Sequence, residues 1–308
     1  MRIAITGGTG NTAEYLIKEL EGRHDLVLFD SVEPGKNRFT FEVHHPFVRG
    51  DLTRVEDCER AVEGCDAVIH LAGVIWDSEK PEWAEARRKA GQEPYPRDAT
   101  MRVNTMGTYY LLDAAQRAGV KTVVMASSNS VLGHNGRWRK EPFPVEYLPL
   151  DEEHPLDFDD SYAYSKLFGE QMLLAHTRAH GMRCYAIRPA GVMRPEAQQA
   201  RAESYQPPSA WSDGLFGYVD IRDLARAYRM CLEAADRMPP FEVFYINAAD
   251  TLALEDTRGL VERLRPDLVP KLRRVEGRQS LISTARAERL FGWRAEHSWT
   301  EHLTAARR

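Results

Sequence analysis

Short apolar runs alternate with longer amphipathic patterns along the first 188 residues. The runs "RIAIT", "DLVLFD", "FVRGD", "AVIHLAG", "TVVMASS" and "RCYAIRP" are rich in β-branched residues and predict strands. Between them, "TAEYLIKELEG", "RVEDCERAVEGC", "NTMGTYYLLDAAQRAG" and "YSKLFGEQMLLAHTRAHG" place apolar residues three and four apart, and several end in glycine. Repeated strand and helix alternation predicts an α/β fold, a doubly wound parallel sheet with helices on both faces.

The pattern then loosens. Residues 193 to 217, "MRPEAQQARAESYQPPSAWSDGLFG", are polar, aperiodic and proline-containing, and predict a loop or small lobe. "IRDLARAYRMCLEAAD" and "FEVFYINA" return as a helix and a strand, and helical patterns around "ALEDTRGLVERL" and "TARAERLFGW" follow. The expected organisation is a Rossmann domain over 1–188, rejoined by 218–248, with a small substrate lobe from 189–217 and 249–308. Residues 78–99, charged and proline-containing, predict a surface excursion near the fourth strand.

Composition narrows the function classes. With 308 residues and 43% hydrophobic content the chain can bury a large core, and a net charge of −5 offers no broad basic field for nucleic acid or an anionic membrane. Cys58, Cys65, Cys184 and Cys231 follow no metal-ligand spacing, so no metal site and no disulfide are expected. The chain enters a strand-like run at once and holds no apolar stretch of about 18 residues. A cytoplasmic protein is the expectation.

The first strand runs directly into "TGGTGNTA". Gly7 and Gly10 allow a tight turn and close approach of a pyrophosphate to the start of the next helix, where Asn11 and Thr12 can add hydrogen bonds. Ala13 stands where a third glycine is common, and it is the next smallest residue. Asp30 closes the second strand 20 residues beyond Gly10, placed to accept from both ribose hydroxyls and to repel a 2′-phosphate. That favours NAD over NADP, although Lys36 and Arg38 lie nearby.

Tyr162 and Lys166 share a helix face at four-residue spacing, whereas Tyr164 points away. A neighbouring ammonium and a helix start both favour phenolate, which could take a proton from a substrate alcohol. Asp159, Asp160 and Ser161 are candidate helix caps. Ser127 and Ser128 end an apolar strand and would border the same crevice, where a serine can steady a developing oxyanion.

These motifs, in order with "GDL", "HLAG", "VNTMGT", "ASSNSVLG" and "YAYSK", resemble the extended short-chain dehydrogenase/reductase superfamily, the NAD-dependent epimerase/dehydratase family. The resemblance implies Ser128, Tyr162 and Lys166 as catalytic residues with Asn104 in support, and Ser127 as a substrate contact. It places Asp51 and Leu52 at the adenine, and Leu71, Ala72 and Gly73 at the cofactor's ribose and phosphates. Lys166 would also hold the nicotinamide ribose and Pro189 would close over the nicotinamide. Relatives of this kind pair through two helices into a homodimer, though the same apolar faces would equally serve a monomer's interior.

The short segment after "IRPAG" lacks the asparagine and length with which nucleotide-sugar enzymes hold their substrate. "ASSN" and that short segment resemble uronate dehydrogenases, implying hydride transfer between NAD and a small sugar or sugar acid. Asn129 would then bind substrate hydroxyls and Arg201 or Arg194 a carboxylate, while Trp76 departs from the pattern and hints at a less polar substrate. A nucleotide-sugar epimerase or dehydratase that retains NAD, and a non-catalytic NAD(H) sensor, are the alternatives.

Overall fold

A computed structural model of the protein describes residues 1–36, 39 and 41–303. Seven parallel strands, β1 (Arg2–Thr6), β2 (Asp25–Asp30), β3 (Phe47–Arg49), β4 (Ala67–His70), β5 (Thr122–Ala126), β6 (Arg183–Pro189) and β9 (Phe241–Ile246), form one sheet in the order β3-β2-β1-β4-β5-β6-β9. The expected strands are all present. The order reverses between β1 and β4, so a crevice opens there beyond the carboxyl ends of the strands.

Strand alternation sorts the core into two layers. Ile3, Ile5, Leu26, Leu28 and Ile69 face one side, against α1 (Asn11–Leu20), α8 (Ile221–Glu233) and α10 (Ala285–Phe291). Ala4, Val27, Phe29, Val68 and Met125 face the other, against α2 (Val55–Val62), α5 (Thr108–Arg117) and α6 (Ser161–His180). Continuously apolar strands are what two covered faces require.

Three features differ from the expectation. Helix α3 (Pro81–Lys89) sits in the 78–99 excursion, and α4 (Ala99–Met101) leads into a π-helical turn, Arg102–Gly107, before α5. The segment expected as a loop contains helix α7 (Pro195–Glu203), between the short paired strands β7 (Gly191–Met193) and β8 (Tyr218–Asp220). Its buried face includes Gln198, which donates to the buried Asp220 carboxylate, so a polar contact replaces the apolar periodicity that sequence inspection detects.

Packing also crosses the expected lobe boundary. Phe143, Val145, Leu148 and Leu150, expected in the Rossmann part, pack with Leu268, Leu281 and Ile282 of the lobe, near helix α9 (Thr257–Leu264). Conversely Phe291 and Trp293, expected in the lobe, enter the core beneath the sheet.

A buried polar knot holds α6 to the sheet. Arg188 of β6 donates to both Glu170 oxygens at 2.8 and 2.7 Å and to the Tyr245 hydroxyl of β9 at 2.9 Å. Removing one partner strands a buried charge, whereas removing both does not. Arg188→Leu is therefore expected to cost about 3–5 kcal/mol in urea unfolding, and adding Glu170→Leu to recover much of that loss.

Candidate active site

The glycine-rich turn fits against the segment leaving β4. Gly7 has φ 70°, and a Cβ there would lie 2.8 Å from the Ala72 nitrogen, so no other residue permits this approach. Gly10 is the N-cap of α1, and Asn11 and Thr12 form its half-buried first turn. Asp30 is oriented by a residue that sequence inspection passed over: Thr9 donates its amide and hydroxyl to one carboxylate oxygen at 3.1 and 2.8 Å. Lys36 is paired with Glu33, and Arg38 lies outside the described residues.

Beside the ends of β2 and β3, Ser31, Arg49, Gly50, Asp51 and Asp57 line a recess. Asp51 is exposed there and caps its own turn by accepting from Thr53, while Leu52 is buried against Gly107. Leu71, Ala72 and Gly73, leaving β4, and Pro189, ending β6, are half-buried.

Of the three candidate caps, Asp160 starts α6, accepting from the Ala163 amide at 2.9 Å. Asp159 instead receives the Trp138 and Arg139 amides, and the Ser161 hydroxyl donates to Asp77. On this first turn the Tyr162 hydroxyl faces that of Ser128, which donates to Ser130 Oγ at 3.0 Å and accepts the Ser130 amide at 3.1 Å. Lys166 Nζ lies 5.8 Å from the Tyr162 ring centre and donates to the Ala126 carbonyl at 2.9 Å. Tyr164 turns away, its hydroxyl toward Glu79 and its ring 5.8 Å from that of Phe168.

Burial governs the electrostatics. It pushes the Lys166 ammonium down to about 8, with Glu170 opposing, and the Tyr162 phenol up to about 12, with the nearby Ser128 hydroxyl opposing. The expected stabilisation of phenolate by the neighbouring ammonium is thus outweighed by desolvation in the protein alone.

Asn104 is a brace. From the π-helical turn its side chain accepts from the Val74 amide at 2.7 Å and donates to the Val74 carbonyl at 2.9 Å and to Ser165 at 3.1 Å. A Cβ on Gly73 would fall 2.9 Å from Asn104 Oδ1 and 3.3 Å from Lys166 Nζ. A second network, unseen from sequence, fixes the same region. Thr108 donates to the Asn104 carbonyl at 2.6 Å, so His70 Nε2 must donate to Thr108, and the Thr6 hydroxyl to His70 Nδ1 at 2.6 Å. Thr6 in turn accepts from the Ala72 amide at 3.3 Å. Burial, helped by the Lys166 charge, lowers His70 to about 3, so this chain of hydrogen bonds stays neutral.

Four expected substrate contacts have partners within the protein. Ser127 is buried and donates to Glu170, inside the polar knot. Asn129 is buried with its amide 3.4 Å from His134. Arg201 donates to the Leu252 carbonyl at 2.8 Å and lies over the Tyr205 and Trp299 rings, within the lobe. Arg194 reaches Asn11 and Glu14 of α1. Trp76 remains 40% exposed, stacked on Trp83 with ring centres 4.0 Å apart.

The family description "NAD dependent epimerase/dehydratase family" matches residues 3–247. The chain belongs to that family. A 3 beta-hydroxysteroid dehydrogenase/Delta 5-->4-isomerase of Mycobacterium tuberculosis is 33% identical over 62% of this chain and 47% of its own length. A putative UDP-glucose 4-epimerase of Methanocaldococcus jannaschii is 26% identical over 75% and 73%. A uronate dehydrogenase of Pseudomonas syringae is 28% identical over 66% and 63%. The chain thus spans about half the length of the steroid dehydrogenases it matches. A short-chain dehydrogenase/reductase superfamily protein from Agrobacterium tumefaciens, solved with NAD, shares the fold at TM-score 0.68 and 22% identity, covering 100% and 96% of the chains.

In this family member the cap of α6 is itself titratable. Burial is the largest influence on Asp160 and pushes it up to about 6, against an ordinary 3.8, with the Ala163 amide opposing. A raised carboxyl favours the folded state at low pH, and that contribution is lost as pH rises through the folded value. Asp160→Asn keeps the cap without the buried charge, so its stability relative to wild type should improve between pH 3.8 and about 6 and then level off, measured by urea unfolding. Asp160→Ala should cost about 1 kcal/mol through the lost cap.

Proposed function

We propose that this protein is an NAD-dependent oxidoreductase that passes hydride between the nicotinamide and a carbinol carbon of a small sugar or sugar acid. The observation that carries the reading is the buried Lys166 ammonium 5.8 Å from the Tyr162 ring centre on one face of α6, with the Ser128 hydroxyl facing that phenol. Gly7, Gly10, Asn11 and Thr12 would hold the diphosphate and Asp30, set by Thr9, the adenosine ribose. The recess at Asp51 suits the adenine end.

Bound NAD supplies the hydride acceptor and a cationic ring. Tyr162 takes the carbinol proton as general base, or returns it in reduction. Ser128 donates to the reacting oxygen and steadies its charge. Lys166 holds the nicotinamide ribose and keeps positive charge beside the phenol. Asn104 and Gly73 act through position, Asn104 fixing Val74 and Gly73 leaving room beside Lys166.

Identity to uronate dehydrogenases supports a sugar acid, while the engagement of Arg201 inside the lobe leaves its carboxylate partner to be assigned. A second reading, a less polar alcohol, is favoured by the exposure of Ile75 at 51% and Trp76 at 40%, directly after the braced Val74. We further propose a cytoplasmic homodimer formed through α5 and α6, where Tyr109 and Phe168 are exposed.

Thermal-shift screening with NAD present, over sugar acids, sugars, nucleotide sugars and apolar alcohols, separates these substrates by mass action on the folded state. With the substrate so found, Tyr162→Phe is expected to lower turnover about 10²–10⁴-fold while NAD affinity is retained. Full turnover by that variant would refute the mechanism.

A further inference from the structure

Arg194 crosses from the lobe to the mouth of the glycine-rich turn. It is the N-cap of α7, and its guanidinium donates to Asn11 Oδ1 and Glu14 Oε2, each at 2.7 Å, across 183 and 180 residues of sequence. It also lies 5.2 Å from the Tyr15 ring centre and 5.6 Å from that of Phe39. Asn11 opens α1 directly after Gly10, so this cation stands within one hydrogen bond of the helix turn whose amides and dipole favour an anion.

We propose that Arg194 is a diphosphate-binding residue, parked on Asn11 and Glu14 until the cofactor's diphosphate reaches the start of α1. The proposal rests on the NAD-binding reading above. The planar guanidinium suits two phosphate oxygens at once. Its departure leaves no stranded charge, because Glu14 keeps Lys18 at 2.9 Å. Arg194 also belongs to the lobe side, beside Gln198 and Asp220, so a phosphate contact there makes the position of the lobe depend on bound cofactor.

The test is calorimetric titration of the full chain with NAD and with ADP-ribose, which carries the diphosphate without nicotinamide. Arg194→Gln keeps a hydrogen-bonding side chain but no charge, and is expected to weaken both ligands at least tenfold. Glu14→Gln removes the charge of the same tether while leaving the guanidinium, and is expected to bind both ligands as tightly as wild type or more so. Affinities of Arg194→Gln within twofold of wild type would overturn the proposal, as would Glu14→Gln weakening binding as much as Arg194→Gln does. Failure of the wild-type chain to bind ADP-ribose would remove the NAD reading itself, and this proposal with it.

Discussion

The ammonium of Lys166 is the constraint around which the site is arranged. It is buried among the end of β5, the segment leaving β4 and the first turns of α6, where it donates to the Ala126 carbonyl. Burying a cation costs free energy, visible in its fall to about 8, so its surroundings are specialised. Gly73 is bare because a methyl group would crowd both Lys166 and Asn104. His70 is neutral because burial and that ammonium together suppress its protonation.

Two hydrogen-bond systems then hold the ammonium's neighbours. The neutral series from Ala72 through Thr6, His70 and Thr108 to Asn104 fixes the strand ends near the glycine-rich turn. The ionic knot of Ser127, Glu170, Arg188 and Tyr245 fixes α6 on the opposite side. Tyr162 and Ser128 meet between these two systems, and their geometry is inherited from both.

Much of this was legible in the sequence because it follows local rules. Strand alternation located the sheet, and the four-residue step from Tyr162 to Lys166 separated Tyr162 from Tyr164. What was missed depends on direction and distance. Ser127 and Ser128 are adjacent residues at a strand end, and side chains there alternate, so one hydroxyl faces Glu170 while the other meets Tyr162. Helix α7 escaped because its buried contact is Gln198 with Asp220 rather than an apolar stripe. The partnership of Arg194 with Asn11 has no local signature, since only the fold brings the two together.

Under the proposed function Tyr162 is a masked base: burial holds its phenol at about 12 in the protein alone, and a cationic cofactor beside it would lower that value into a working range. The most direct test is an ultraviolet difference titration of the Tyr162 phenolate, isolated by subtracting the Tyr162→Phe spectrum, with and without saturating NAD. A midpoint near 12 is expected in the free protein, with a fall of about two units or more when NAD is bound. The same midpoint in both states would contradict it.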